Sequence, residues 1–130
     1  MMISEAEWQV IKILWMRPES TSTELIQILR KKFSWSPSTV KTLLRRLIDK
    51  GAIRREKHRK VFEYSAVLTQ DESTELVVQS VQQHLCAKKI PLVIAKLIQA
   101  SDLTTADIEN ISTLLSNKQT VENIICNCMD

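Results

Sequence analysis

Ser36-Pro37-Ser38-Thr39-Val40-Lys41-Thr42-Leu43-Leu44-Arg45-Arg46-Leu47-Ile48-Asp49-Lys50-Gly51 reads as one helix with both ends marked. Ser36 can cap the start, Pro37 suits the first turn, and Gly51 suits the position just past the end. Val40, Leu43, Leu44, Leu47 and Ile48 recur at helical spacing and form a single apolar stripe. The opposite direction is taken by Ser38, Thr42, Arg45 and Asp49, flanked by Thr39, Lys41 and Arg46. Small hydroxyls and arginines facing outward suit contact with something polar and anionic.

Upstream, Ser4 with Glu7 forms a capping box for a helix running to about Met16, with Trp8, Ile11, Leu14 and Trp15 on one side. Thr21 with Glu24 repeats the box, and Leu25, Ile28, Leu29 and Phe33 are expected to face one way along a second helix. Downstream of Gly51 the period changes to two. Ile53–Lys57 and Val61–Ala66 read as strands, with Phe62, Tyr64 and Ala66 sharing a face, around the basic tip His58-Arg59-Lys60. No Asn-Gly or Asp-Gly marks that tip. Three helices followed by a basic hairpin are the order of a winged helix-turn-helix.

From Thr69 the pattern is helical again. Thr69 and Glu72 form another box before Val77, Val78, Val81 and Leu85; Pro91 opens a second helix, and a third begins near Thr104. Leu92, Val93, Ile94, Leu97, Ile98, Ile108, Ile111, Leu114 and Leu115 are too much aliphatic surface for three short helices without a sheet to hide. Homodimerisation is the expected solution; folding back onto the N-terminal half is the other. The predicted fold is therefore mainly α with a small β-hairpin wing: a winged-helix domain over 1–70, a helical dimerisation domain over 71–117, and a cysteine-bearing tail over 118–130.

Charge follows the same division. Residues 1–70 hold 14 Lys/Arg against 7 Asp/Glu, residues 71–130 hold 4 against 8, and 41–60 alone hold nine bases and two acids. That polarity points to a polyanion-binding half joined to a half with another task. Ser38, Thr42 and Arg45 are the candidates for base edges or nearby phosphates, with Thr39 beside them and Lys41 and Arg46 mainly on the backbone. Arg55, His58, Arg59 and Lys60 are expected along the adjacent sugar-phosphate ridge. His84 is read as a surface residue.

The balance of 44% hydrophobic and 25% charged residues is that of an ordinary globular chain. No apolar run is long enough to span a membrane, and Met1-Met2-Ile3-Ser4-Glu5 lacks the character of a signal peptide, so a cytoplasmic protein is expected. Three cysteines in a reducing compartment do not make a disulfide framework. Cys86, on a mainly apolar helix, is expected to be a core thiol. In an extended tail Cys126 and Cys128 point the same way and can share one soft ion, Zn(II) or Cu(I). One pair leaves zinc two ligands short, and two tails in a dimer would supply four sulfurs. No glycine-rich phosphate loop, Ser/His/Asp set or carboxylate pair appears, and C-x-C on a polar tail lacks the helix-start setting of a C-x-x-C oxidoreductase. The chain is not read as an enzyme.

With these residues in place, the chain resembles the BlaI/MecI family of bacterial repressors, and within it the CopY-type copper-responsive branch. The resemblance rests on Ile3-Ser4-Glu5-Ala6-Glu7-Trp8 with Val10 and Leu14-Trp15, on Trp35 through Leu47, on Phe62-Glu63-Tyr64 and Cys86-Ala87-Lys88-Lys89, and most of all on Cys126-Asn127-Cys128. It implies a dimer on a palindrome of TACA and TGTA half-sites upstream of copper-export genes. It further implies that zinc on the tail cysteines favours the DNA-bound form, and that Cu(I), brought by a small copper chaperone, displaces zinc and releases the operator. The copper branch carries two C-x-C pairs where this sequence shows one, which makes a shared dimeric site, or help from Cys86, more necessary. The family's β-lactam-responsive members are instead cut at an Asn-Phe bond in the dimerisation half. The two phenylalanines here, Phe33 and Phe62, both precede that half and neither follows an asparagine.

Overall fold

The computed structural model describes residues 1–129; Asp130, the last residue of the predicted tail, lies outside them. The chain forms α1 (Glu5–Met16), β1 (Ser20–Thr21), α2 (Ser22–Phe33), α3 (Pro37–Asp49), β2 (Ile53–His58), β3 (Val61–Ala66), α4 (Gln70–His84), a 3-10 turn (Ala87–Lys89), α5 (Ile90–Ala100) and α6 (Thr105–Ser116). Two compact units divide inside α4, the first Met1–Leu76 and the second from Val77 onward.

Capping decides where the helices start. Ser4 Oγ accepts from the Glu7 N–H at 3.2 Å while Glu7 Oε1 accepts from the Ser4 N–H at 3.1 Å, and Thr21 with Glu24 repeats the exchange at α2. Ser36 Oγ accepts from the Thr39 N–H at 3.2 Å, with Pro37 in the first turn of α3. Thr69 with Glu72 opens α4, and Thr104 with Asp107 opens α6. Hydrogen bonds from the Thr104 backbone and hydroxyl hold the Asp107 carboxyl below its usual pKa. Gly51 ends α3 at φ 74, a conformation that costs an L-residue about 1–2 kcal/mol. An added Cβ there would meet nothing within 4 Å, so the dihedral angle, not space, asks for glycine.

The first unit packs the predicted stripes together. Val10, Ile11 and Leu14 of α1, Leu25 and Leu29 of α2, and Val40, Leu43, Leu44 and Leu47 of α3 are buried against Ile53, Tyr64 and Leu68. Trp8, Ile28 and Ile48 are half-buried at the edge of this core, and three further positions differ from expectation. Phe33 leaves the core and stacks on Trp35 with ring centroids 4.8 Å apart. Trp15 is only half-buried, because its indole N–H must reach the Leu68 carbonyl at 2.9 Å. Glu7, a charged residue, is buried instead.

The sheet has the order β1-β3-β2, all antiparallel. β2 runs one residue further than its pattern predicted, pairing His58 with Val61, and β1 is two residues long, too short to carry a period. Arg59 and Lys60 form the two-residue tip, and Arg59 takes φ 61, the positive value such a loop asks of its first residue.

In the second unit no residue of α5 or α6 is buried. Leu92, Leu97, Ile108, Leu114 and Leu115 are each at least half exposed, as expected for helices that do not bury their stripes among themselves. Among the described residues no helix is long and apolar enough to cross a membrane.

Candidate functional site

All ten residues assigned to DNA from the sequence are exposed: Ser38, Thr39, Lys41, Thr42, Arg45 and Arg46 on α3, and Arg55, His58, Arg59 and Lys60 on the hairpin. The buried stripe of α3 determines this, since a helix that seats four aliphatic residues in the core must turn its polar arc outward. The hydroxyls there are partly committed. Thr39 Oγ1 lies 2.9 Å from Ser36 Oγ, and Thr42 Oγ1 donates to the Ser38 carbonyl at 2.9 Å. Thr42 therefore offers an outside partner its methyl group and oxygen lone pairs, not its proton.

A groove of about 520 Å³ joins α3 to the wing, lined by Lys41, Arg45, Ile48 and Asp49 on one side and by Arg55 and Tyr64 on the other. The register sorts the wing's charges. Arg55 pairs with Tyr64 and Lys57 with Phe62, so these four share the face that lines the groove. The Arg55 guanidinium sits 4.6 Å from the Phe62 ring centre and the Lys57 ammonium 5.8 Å, so the exposed ring directs both cations. His58 lies on the other face, its Nε2 3.5 Å from Glu56 Oε2 and 4.0 Å from Glu63 Oε2. Lys57, absent from the residues picked out in the sequence, shares the Arg55 face, and two-residue alternation from Arg55 was the signal for it. Arg54 is turned to Ser65, whose Oγ accepts from its Nε at 3.2 Å.

One base of the cluster has a structural role. Lys50 Nζ donates to both Glu7 carboxylate oxygens at 2.7 and 2.8 Å, joining the end of α3 to the first turn of α1. Burial pushes the Glu7 carboxyl up, but hydrogen bonds from Lys50 and Ser4 and the nearby ammonium charge outweigh it, and the pKa lies below the ordinary value.

The tip gives a prediction of its own. Arg59→Gly removes the left-handed penalty but loosens the unfolded chain, so unfolding free energy should change by less than about 1 kcal/mol. Duplex affinity should nevertheless fall several-fold through the lost charge, as fluorescence anisotropy would read. Unchanged affinity would place the tip away from DNA.

The second unit gathers all three cysteines. Their Sγ atoms lie within 4.8 Å of one another, with Cys86 and Cys126 at 3.5 Å. The core-thiol expectation for Cys86 is corrected: it is half-buried and caps the 3-10 turn ahead of α5, because the apolar helix has already ended at His84. Nor is the tail a strand. Residues 124–127 have no regular structure, and the two sulfurs converge through a turn at 128–129 and a hydrogen bond from the Ala87 N–H to Asn127 Oδ1 at 2.9 Å. Hydrogen bonding with the Lys88 backbone, then with Cys128 and Cys126, holds the Cys86 thiol below its ordinary pKa. Hydrogen bonding with Cys126 and then Cys86 pushes the Cys128 thiol up to about 12. Sulfurs sharing one ion at about 2.3 Å stand roughly 3.8 Å apart, so this cluster fits a single thiophilic cation with only small adjustment. His84 is exposed, its Nδ1 2.7 Å from the Ser80 carbonyl oxygen.

Three helices with a basic hairpin behind the third define the winged helix-turn-helix class of DNA-binding domain. The chain belongs to the penicillinase repressor family, whose profile matches residues 3–117. It is 36% identical over 129 residues to an uncharacterized 16.5 kDa protein in the ptsI 3' region of Latilactobacillus sakei, spanning 98% of this chain and 88% of that one. To the methicillin resistance regulatory protein MecI of Staphylococcus aureus strain N315 it is 28% identical over 116 residues, 89% of this chain and 94% of MecI. The solution structure of the DNA-binding domain of the repressor BlaI superposes with a TM-score of 0.51 at 38% identity, covering 54% of this chain and 85% of that domain. Monomeric BlaI of Bacillus licheniformis in complex with the blaP half-operator gives the same score and identity over 55% and 88%. The relatives named BlaI and MecI are transcriptional repressors, not enzymes. Cys86 falls within the matched segment; Cys126 and Cys128 follow it.

Proposed function

We propose that this chain is a copper-responsive transcriptional repressor, acting in the cytoplasm as a homodimer on a palindromic operator with TACA and TGTA half-sites ahead of copper-homeostasis genes. Cys126 and Cys128 hold Zn(II) in the DNA-bound form, and exchange for Cu(I), donated by a copper chaperone, releases the operator. The observation that carries the metal part is the convergence of three thiols within 4.8 Å in the unit that does not carry the basic interface. The exposed α3 arc and Arg55 face support the DNA part, as does the likeness to a BlaI domain studied with a half-operator. The uncovered aliphatic residues of α5 and α6 support the dimer. Coupling of a few kcal/mol between metal and DNA is enough, because about 1.4 kcal/mol changes affinity tenfold.

The other reading, a β-lactam-responsive repressor inactivated by proteolysis, draws on relatives named MecI and penicillinase repressor. It leaves the thiol cluster without a task. A mobility shift on the palindrome separates the two. Zinc-loaded protein should retard the duplex and Cu(I) should free it, while a Cys126→Ser/Cys128→Ser variant should stay bound under Cu(I). Copper release that survives the double substitution would refute the sensor and leave the DNA reading standing.

A further inference from the structure

We infer that Cys86 is a third metal ligand, so that one complete trithiolate site for a soft cation is built within a single chain, with Asn127 as its positioning residue. The inference rests on the metal reading of the tail and changes its architecture: the second subunit's sulfurs are no longer required.

Geometry carries it. Cys86 stands 40 residues before Cys126, yet their sulfurs lie 3.5 Å apart and Cys128 completes the group within 4.8 Å. The local structure holds that arrangement from both sides. On one side, Cys86 lies just past α4, at the start of the 3-10 turn Ala87–Lys89, whose Lys89 N–H closes back on the Cys86 carbonyl at 2.8 Å. On the other side, Asn127 takes the Ala87 N–H on its side-chain oxygen at 2.9 Å. The middle residue of Cys-Asn-Cys thus fastens the tail to the turn, and its two neighbours bring their sulfurs toward Cys86. Outer hydrogen bonds of this kind orient ligands in metal sites generally.

The donor set states the ligand class. Among the described residues sulfur is the only donor element in the cluster. Thiolates select Zn(II) and Cu(I) over hard cations. Three sulfurs leave a tetrahedral ion one position short, and that position stays open to an incoming donor. They fully satisfy a three-coordinate ion. A site of this kind keeps zinc exchangeable and retains Cu(I). Cys86 also marks the corner between α4 and α5, so occupancy ties the tail to that corner of the second unit.

The test is titration of the reduced full-length chain with Co(II), whose thiolate charge-transfer absorbance counts sulfurs, followed by zinc competition for affinity. Wild type should bind one Co(II) per chain with three thiolate contributions. Cys86→Ser should bind with two contributions and an affinity lower by about 100-fold. Asn127→Ala should keep three contributions while losing about tenfold in affinity, which separates positioning from ligation. Helical circular dichroism, to which α4, α5 and α6 of the second unit contribute, establishes that each variant is folded. One Co(II) per two chains, with Cys86→Ser indistinguishable from wild type, would overturn the inference in favour of a site shared across a dimer. A Cys126→Ser/Cys128→Ser variant that binds as wild type does would instead sink the metal reading of the tail itself.

Discussion

Lys50→Met should destabilise the first unit by about 2–3 kcal/mol at neutral pH while leaving the salt dependence of DNA binding unchanged. Glu7 is 2% exposed and accepts two hydrogen bonds from the Lys50 ammonium, so removing that group strands a buried carboxylate. Breaking a fully buried pair costs about 3–5 kcal/mol; the Lys50 side chain is 34% exposed, so water screens part of the interaction and the expected figure is lower. The pH dependence fixes the cause. In the wild type the folded Glu7 pKa lies below its ordinary value, so the pair's contribution is complete above about pH 4.3 and is lost as pH falls through the folded value. In the variant burial acts unopposed by Lys50, the carboxyl is pushed up, and protonation relieves the penalty. The gap between the two proteins should therefore be widest near pH 7 and shrink toward about pH 4. Urea unfolding followed by tryptophan emission measures it, because Trp8, Trp15 and Trp35 all belong to the first unit. A gap of equal size at both pH values would show that packing of the lysine stem, not charge, links α1 to α3.

The same pair shows how far a sequence can be read. α3 was legible in full because everything that defines it is local: a capping serine, a proline in the first turn, a five-residue stripe, a closing glycine. The capping boxes of α1, α2 and α4 were legible for the same reason. Lys50 and Glu7 are 43 residues apart, and nothing in either neighbourhood distinguishes this lysine from the bases that face outward. Phe33 continued the stripe of α2, but its helix ends there, at a left-handed Ser34, and the ring turns to Trp35 instead. The cysteines divide similarly. Cys-x-Cys is visible as a motif, whereas the approach of Cys86 depends on a hydrogen bond from Ala87 to Asn127, 40 residues further along the chain. For the wing the information was present. Alternation from Arg55 selects Lys57 for its face and leaves His58 behind, but the tripeptide His58-Arg59-Lys60 drew attention to the tip.

That last distinction leads to the other large effect. Affinity for duplex DNA should fall by about 10²–10³ on one half-site between roughly 50 and 200 mM salt if about five of the outward bases reach phosphates. The candidates are Lys41, Arg45 and Arg46 on α3, with Arg55, Lys57, Arg59 and Lys60 on the wing, all exposed. Each phosphate contact adds about 0.9 to the log–log slope through counterion release, so single substitutions can be counted. Lys57→Ala should reduce the slope by about 0.9, because Lys57 shares the groove-lining face with Arg55. His58→Ala should leave it unchanged, its ring being held toward Glu56 and Glu63 on the other face. Arg45→Ala should behave differently from both, weakening the correct site by about 1–3 kcal/mol and relaxing base preference if its guanidinium reaches a base edge. The slope measured by anisotropy across a salt series, on operator and unrelated duplex alike, decides among these. If His58→Ala lowers the slope and Lys57→Ala does not, the wing meets DNA with its acidic face and the groove between α3 and Arg55 is not the phosphate path. If neither changes it while Lys41→Ala does, the helix docks without the wing.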